Sequence, residues 1–157
     1  RTAEMTRDKN RTPMQWSNNP NAGFSPSDVG PWLPVNPNFK DGINVKDQHH
    51  NPSSLLNYYK HILRVRKNTP ALIEGEYLPL QNTAKEYFAF LRISGGQTVL
   101  VVLNFSEQSL DLDLSRTNEI KSRSLHVVFS SAVRSTADLN PKKLHIGAFE
   151  VFIAEVK

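Results

Sequence analysis

The side chains best suited to chemistry crowd near the start of the chain, at Arg7, Arg11, Gln15 and Trp16. An arginine presents a planar fork of donors that can hold a carboxylate bidentately and still donate to a hydroxyl group, which a lysine cannot reproduce. An amide such as that of Gln15 can bind hydroxyl groups, and the indole of Trp16 can pack against an apolar ring face. This is binding chemistry, and it contains no bond-breaking group.

Two other groups of titratable residues are of types found in catalytic or metal sites, but their spacing does not fit such a site. Asp111 and Asp113 alternate with leucines, which is typical of a strand with one wet face and one core face rather than of a catalytic pair. His49 and His50 stand beside Asp47, but adjacent loop residues seldom converge on one ion, so solvated histidines are favoured. We therefore expect no catalytic residue, no metal site and no cofactor in this chain.

Composition narrows the classes of partner. The 157 residues are 38% hydrophobic, carry 19 basic against 15 acidic side chains and have a net charge of +4 without any long run of like charge. Backbone binding to nucleic acid needs a concentrated basic face, so no nucleic-acid partner is expected. The longest apolar stretch, 98–103, is far below the roughly 20 residues of a membrane-spanning helix. Since cysteine is absent, a reducing compartment fits, and we expect a cytoplasmic location.

The candidate residues lie in a long segment without periodicity. Residues 1–51 hold most of the prolines and several asparagine-rich turns, which predicts a loop. Loops longer than about 12–15 residues are uncommon inside a compact domain. This one also carries large apolar side chains, so we expect it to cover another body.

A helix and then a series of strands follow this segment. Apolar residues spaced three and four apart predict a helix over 52–69, capped by Asn51 or Ser53 and stopped by Pro70. From 71 to 157, short alternating runs separated by turns predict an antiparallel β-sandwich, with a hairpin around Gly95 and Gly96. The expected fold is thus mainly β, preceded by one α-helix and a long irregular segment. The aromatic residues expected in its core are Phe88, Phe90, Phe129, Phe149 and Phe152.

Several sequence blocks carry a family resemblance. Residues 7–17, reading Arg-Asp-Lys-Asn-Arg-Thr-Pro-Met-Gln-Trp-Ser, closely resemble a signature of the oligo-1,6-glucosidase and α-glucosidase branch of the family 13 glycoside hydrolases, the α-amylase superfamily. Further blocks follow in the same order, at 21–25, 31–38, 43–45 and 51–60. The resemblance implies that residues 1–70 are the end of a (β/α)8 barrel, with a long βα loop at 1–51 and the last helix at 52–69. It also implies that 71–157 is the C-terminal β-sandwich domain.

The resemblance also implies a role for the first segment. Loops at the C-terminal face of a barrel form its active site, so this segment would supply one wall of a pocket for short α-glucosides. Arg11 would pair with an aspartate of an early barrel loop around the non-reducing glucose, and Arg7, Gln15 and Trp16 are further substrate-binding candidates. The two carboxylates of a retaining glycosidase lie on earlier strands of the family's barrel, so this chain alone would not hydrolyse a substrate.

Three alternatives stay open. Relatives that isomerise sucrose or interconvert maltose and trehalose use the same double displacement, so the parent could be an isomerase or transferase. Other members of the superfamily are non-catalytic subunits of amino-acid transporters. A carbohydrate-binding module centred on the sandwich would need an exposed aromatic platform, and the strand positions of its aromatic residues argue against one.

Overall fold

A computed structural model describes residues 11–80, 85–135 and 137–157, which fall into two units, one up to residue 61 and one from residue 62. We call these the first unit and the second unit. Within the described residues, no helix is long and apolar enough to cross a membrane.

The first unit is built mainly from turns and one short helix. Two single-turn 3-10 segments, Pro20–Gly23 and Pro37–Asp41, precede helix α1, Val45–His50. The sequence predicts a loop over all of 1–51, so helix α1 departs from that prediction. Its six residues are too few to establish a helical period, but Asn44 starts it, because the Asn44 carboxamide oxygen accepts the Asp47 amide proton at 2.9 Å.

The long helix lies where the sequence predicts it. Helix α2 spans Leu55–Asn68, and the short helix α3, Pro70–Glu74, begins at the predicted stop. The start of α2 is held by Ser54, whose hydroxyl accepts the Asn57 amide proton at 3.2 Å and donates to the Gln48 carbonyl at 2.7 Å. Ser54, rather than Asn51 or Ser53, is therefore the capping residue.

The apolar stripe of α2 is only partly covered. Val65 is the buried side chain of this helix, whereas Leu55, Tyr59 and Leu63 are each about three-fifths exposed, at 65%, 59% and 61%. The predicted helical period is correct, but among the described residues most of this face is exposed.

The second unit is an antiparallel β-structure, as predicted. Its main sheet has the order β1-β2-β3-β7-β5, and a two-stranded sheet pairs β4 with β6. The strands are β1 Glu76–Pro79, β2 Tyr87–Ser94, β3 Gln97–Asn104, β4 Leu110–Leu112, β5 Leu125–Ser130, β6 Leu144–Ile146 and β7 Val151–Val156. The predicted hairpin joins β2 to β3 through Gly95 and Gly96, whose φ angles of 56° and 86° suit glycine.

The main sheet buries both of its faces to different extents. One face packs under β4, β6 and their loops around Leu91, Leu100 and Phe152, all fully buried. The other face packs Val99, Val101 and Ile153 against Val65 and Ala71 of the helical segment. Of the aromatic residues predicted for the core, Phe129 and Phe152 are buried and Phe90 is half-buried, but Phe88 and Phe149 are exposed, which makes that part of the prediction wrong.

Just before β7, the buried carboxylate of Glu150 forms an ion pair with the partly buried Arg134. Glu150 is 2% exposed and accepts hydrogen bonds from Arg134 Nε at 2.5 Å and from the Ser130 hydroxyl at 2.6 Å, while the Gly147 amide donates to it at 2.6 Å. The Arg134 guanidinium also lies 4.7 Å from the centre of the Phe152 ring. Burial alone would raise the pKa of the Glu150 carboxyl, but these donors and the Arg134 charge outweigh it and lower that pKa.

Candidate functional site

The segment that holds the candidate binding residues is fixed by its backbone. The Val45 and Lys46 amides, in the first turn of α1, have no acceptor within their own helix. They donate instead to the Gln15 and Trp16 carbonyl groups, at 2.9 and 3.0 Å. The Trp16 and Ser17 amides both donate to the Ala22 carbonyl, at 2.9 and 3.0 Å. An otherwise irregular stretch is thereby anchored at both a helix start and a turn.

That turn has an uncommon backbone. Asn21, Ala22 and Gly23 have φ angles of 52°, 54° and 68°, all in the left-handed region. Glycine tolerates this region and asparagine visits it, but an alanine there costs about 1–2 kcal/mol. The Asn21 side chain offsets part of this cost by donating to the Pro26 and Val29 carbonyls at 2.8 and 3.1 Å. This strained backbone directs the Ala22 carbonyl toward the Trp16 and Ser17 amides.

The Gln15 side chain links two segments of the first unit by hydrogen bonds. Its side-chain nitrogen donates to Asn38 Oδ1 at 2.7 Å and to the Ile43 carbonyl at 2.6 Å. An amide nitrogen has two protons, so both are engaged and the side-chain oxygen is the group left for another partner. Substrate binding by Gln15 stays a prediction. In this geometry the Gln15 side chain could offer a substrate its oxygen as an acceptor.

Arg11 and Trp32 are brought together. The Arg11 guanidinium lies 5.7 Å from the centre of the Trp32 ring, and the Trp32 side chain is 73% exposed. A cation over an exposed indole gains about 0.5–1 kcal/mol, enough to bias the arginine rotamer while leaving its donors free for other partners. Trp16 is also half-exposed, at 51%. The first unit thus presents guanidinium donors and indole faces to whatever adjoins it.

The sequence did not single out this pairing. Arg11 and Trp32 are 21 positions apart in a stretch without periodicity, and no local pattern connects them. Arg7 and its neighbour Asp8 lie outside the described residues, so the role proposed for Arg7 stays a prediction.

A cavity of about 360 Å³ lies in the first unit. It is mainly apolar, and no aspartate or glutamate of the described chain lines it. The lining residues are Thr12, Pro13, Met14, Gln15, Ile43, Asn44, Val45, Gln48, Leu55, Leu56 and Tyr59. The cavity is therefore a gap between the anchored segment and the helices, and the carboxylate pair of a glycosidase is not part of its lining.

Carboxylates in the described part of the first unit do not form a catalytic pair. Asp28, Asp41 and Asp47 are all exposed, and Asp47 accepts a hydrogen bond from the Asn44 side chain at 2.6 Å as part of the helix start. A retaining glycosidase needs two carboxyl groups about 5–5.5 Å apart, flanking the bond inside its pocket. Among the described residues 11–61 these three carboxylates do not line the cavity, and a binding role for this segment stays a prediction.

Two family models together account for nearly the whole sequence. Alpha amylase, catalytic domain, matches residues 1–75, and Maltogenic Amylase, C-terminal domain, matches residues 77–153. The chain belongs to the α-amylase family. This confirms the resemblance seen in residues 7–17 and the blocks that follow, and it places the chain in a family of enzymes.

Relatives of this α-amylase-family chain are similar along most of it. An oligo-1,6-glucosidase of Saccharomyces cerevisiae is 35% identical over 158 residues, covering 98% of this chain and 26% of its own length. Oligo-1,6-glucosidase of Halalkalibacterium halodurans is 41% identical over 107 residues, covering 68% of this chain and 18% of its own length. The chain therefore spans about a quarter or less of the curated relatives it matches.

Two solved structures share the fold of this α-amylase-family chain. Trehalulose synthase MutB from Pseudomonas mesoacidophila MX-45 superposes with a TM-score of 0.80 at 30% identity, over 96% of this chain and 26% of that one. A variant of isomaltulose synthase from Erwinia rhapontici NX5, in complex with its natural substrate sucrose, gives 0.78 at 33% identity over 96% and 26%. These matches confirm the mainly β fold that accompanies a fragment of a barrel.

Proposed function

We propose that the whole protein is a retaining α-glucosidase-type glycoside hydrolase that acts on short α-glucosides, and that residues 11–61 form one wall of its sugar pocket. The observation that carries the proposal is the exposed pair of Arg11 and Trp32, at 5.7 Å, in a segment that matches the alpha amylase catalytic domain. Two relatives named oligo-1,6-glucosidase support the same class of substrate.

The contribution of this chain is recognition of the sugar. Because the Arg11 fork has donors on two edges, it can hold a carboxylate of the barrel with one edge and donate to a sugar hydroxyl with the other. The exposed faces of Trp16 and Trp32 offer surfaces on which the apolar face of a pyranose ring can pack. The reacting carboxylates belong to the rest of the catalytic domain, so the chain by itself binds weakly and hydrolyses nothing.

A graft tests the proposal directly. The final quarter of the Saccharomyces cerevisiae oligo-1,6-glucosidase is replaced by this chain, and glucose release from isomaltose, maltose and sucrose is measured. We expect release from isomaltose, and we expect Arg11→Lys to lower kcat/KM about tenfold or more, because a point charge cannot replace the bidentate fork. Arg123→Lys, at an exposed arginine of the second unit, is the matched control and should leave kcat/KM unchanged. A folded graft that releases glucose from none of the three sugars would refute the proposal.

A second candidate function is isomerisation of sucrose. It is favoured by the similarity to trehalulose and isomaltulose synthases, at TM-scores of 0.80 and 0.78. A second graft on the Erwinia rhapontici isomaltulose synthase separates the two functions. Activity confined to that graft, with an isomer of sucrose as its product, would favour the isomerase. The cytoplasmic location also stays a prediction, which fractionation of the source cells would test.

A further inference from the structure

A second cavity lies in the second unit, beside the main sheet. Its volume is about 640 Å³, within the roughly 300–1,000 Å³ of pockets that hold small ligands. The main sheet lines one side of it through Leu78, Leu80 and Tyr87. The other side is lined by residues of the segment 113–119, which follows β4. We call this space the loop cavity.

The loop cavity is on the face of the main sheet that packs under β4 and β6. Tyr87 alternates along β2 with Ala89 and Leu91, which belong to the hydrophobic cluster of that face. Val65 and Ala71 pack on the opposite face. The loop cavity therefore lies on the face of the sheet that Val65 and Ala71 do not cover.

Backbone hydrogen bonds fix the wall formed by residues 113–119. The Leu114 amide donates to the Pro141 carbonyl at 2.9 Å, and the Thr117 amide donates to the Leu114 carbonyl at 3.1 Å. Ile120, which is fully buried, donates its amide proton to the Thr117 carbonyl at 3.0 Å. The side chains between Leu114 and Ile120 are thus held at the cavity by a backbone that is anchored at both ends.

The wall of the loop cavity offers both donors and acceptors. Its polar side chains are Asp113, Arg116, Thr117, Asn118 and Glu119. Within the part of the chain that the structure describes, the side chains of Arg116, Asn118 and Glu119 form no hydrogen bond. A guanidinium, an amide and a carboxylate are therefore available together at one cavity.

Asp113 is held in place as an acceptor. Its Oδ1 atom accepts the Ser115 hydroxyl and amide protons at 2.6 and 2.9 Å. These two bonds, together with the smaller effect of the Arg116 and Lys142 charges, lower the pKa of the Asp113 carboxyl, which is therefore ionised at neutral pH. Because Oδ1 is engaged by Ser115, Oδ2 is the oxygen that can accept from a ligand.

We propose that the loop cavity binds a short saccharide. A saccharide is neutral, and its hydroxyl groups both donate and accept hydrogen bonds. It can therefore use the Arg116 and Asn118 donors together with the Asp113 and Glu119 acceptors. The half-buried Tyr87 ring supplies an apolar surface for one face of a pyranose ring. Such a site is a cavity with one aromatic wall, which differs from a flat aromatic platform.

Other classes of ligand fit the loop cavity less well. An anion such as phosphate would meet the carboxylates of Asp113 and Glu119 as well as the Arg116 guanidinium, so part of its attraction would be cancelled. Within the described residues, no group of three or more histidine, cysteine, aspartate or glutamate side chains is arranged to hold a metal ion. An apolar ligand would take the charged groups out of water without a partner. A neutral polyhydroxylated molecule meets none of these obstacles.

A titration of the free chain tests the proposal. Isomaltose, maltotriose and sucrose are each added to the isotope-labelled chain, and its backbone amide resonances are followed by NMR. We expect saturable shifts at residues 116–119. Arg116→Gln should weaken the binding about fivefold, because one charged donor is lost. Arg123→Gln, at an exposed arginine outside the cavity lining, is the matched control and should leave the binding unchanged.

Three results would overturn the saccharide proposal. The first is a set of shifts that grow in proportion to the concentration of every sugar without saturation. The second is saturable binding that neither Arg116→Gln nor Asn118→Ala weakens, in variants whose spectra show the parent fold. The third is saturation at residues 116–119 by inorganic phosphate or Ca²⁺ and by none of the sugars, which would assign the cavity to an ion. Since the proposed function is tested by glucose release from the graft, either proposal can fail without the other.

Discussion

In the first unit, Pro13, Ala22 and Phe39 are the buried apolar side chains among the described residues, whereas the second unit closes hydrophobic clusters on both faces of one sheet. The first unit takes its order from side-chain amides, such as those of Gln15 and Asn57, that bind backbone carbonyls. Such bonds add only about 1 kcal/mol each, so they specify a shape more than they stabilise it. The second unit thus has an extensive core of its own, whereas the described part of the first unit buries few apolar side chains.

The largest expected effect comes from matched truncations in the two units. Phe152→Ala should cost about 3–5 kcal/mol of the free energy of unfolding, because it empties a fully buried site in the sheet. Phe24→Ala should change it by less than about 0.5 kcal/mol, since the Phe24 side chain is 47% exposed in the first unit. Urea titration followed by far-UV circular dichroism measures both. Equal losses of unfolding free energy in the two variants would contradict the difference in core packing between the two units.

The same titration can be followed with a probe confined to the first unit. Trp16 and Trp32 are the two tryptophans of the chain, and both lie there. We expect their fluorescence to change at a lower urea concentration than the circular dichroism of the sheet. Coincident transitions would mean that the two units unfold as one cooperative body.

The second prediction concerns the Glu150 and Arg134 ion pair of the second unit. The pKa of the Glu150 carboxyl is lower in the folded than in the unfolded chain, so this carboxylate stabilises the fold above its unfolded pKa of about 4.3. That contribution is lost as the pH falls through the folded pKa. Glu150→Gln should cost about 1.5–3 kcal/mol at pH 7, where the charged hydrogen bonds are lost.

The pH dependence separates this charge effect from a packing effect. Between pH 6 and pH 3, unfolding free energy should fall more steeply in the parent than in Glu150→Gln, because the variant has no proton to bind at this position. Asp111→Asn is the matched control, since Asp111 is 87% exposed beside His145. Identical pH slopes for the parent and Glu150→Gln would contradict the assigned cause of the lowered pKa.

The sequence predicts long regular strands well in this chain and short or irregular elements poorly. The hairpin of β2 and β3 was predictable because a run of β-prone residues lies on each side of two glycines, and each strand has eight residues. By contrast, α1 and β6 have six and three residues, too few to show a period. Phe149 alternates with Val151 as a strand residue would, but the turn closed by Glu150 turns it outward. Contacts across irregular chain, such as that of Arg11 with Trp32, have no local signal at all.

The smallest expected effect compares one alanine from each unit. Ala22 and Ala89 are 0% and 1% exposed, but Ala22 has a φ angle of 54°, whereas Ala89 lies in the extended strand β2. Glycine relieves left-handed strain of about 1–2 kcal/mol at the first position and costs about 0.5–1 kcal/mol of chain entropy at either. Ala22→Gly should therefore stabilise the first unit by up to about 1.5 kcal/mol, and Ala89→Gly should destabilise the second by about 0.5–1 kcal/mol.

Hydrogen exchange measures the two alanine variants locally. The Trp16 and Ser17 amides donate to the Ala22 carbonyl, so their protection reports the turn, and the Leu80 amide, which donates to the Ala89 carbonyl at 3.0 Å, reports the strand. We expect protection to rise at Trp16 in Ala22→Gly and to fall at Leu80 in Ala89→Gly. Loss of protection at Trp16 would mean that the alanine methyl group stabilises the turn by more than its backbone strain costs. The first unit would then have a small core of its own, and the difference between the two units would be one of degree.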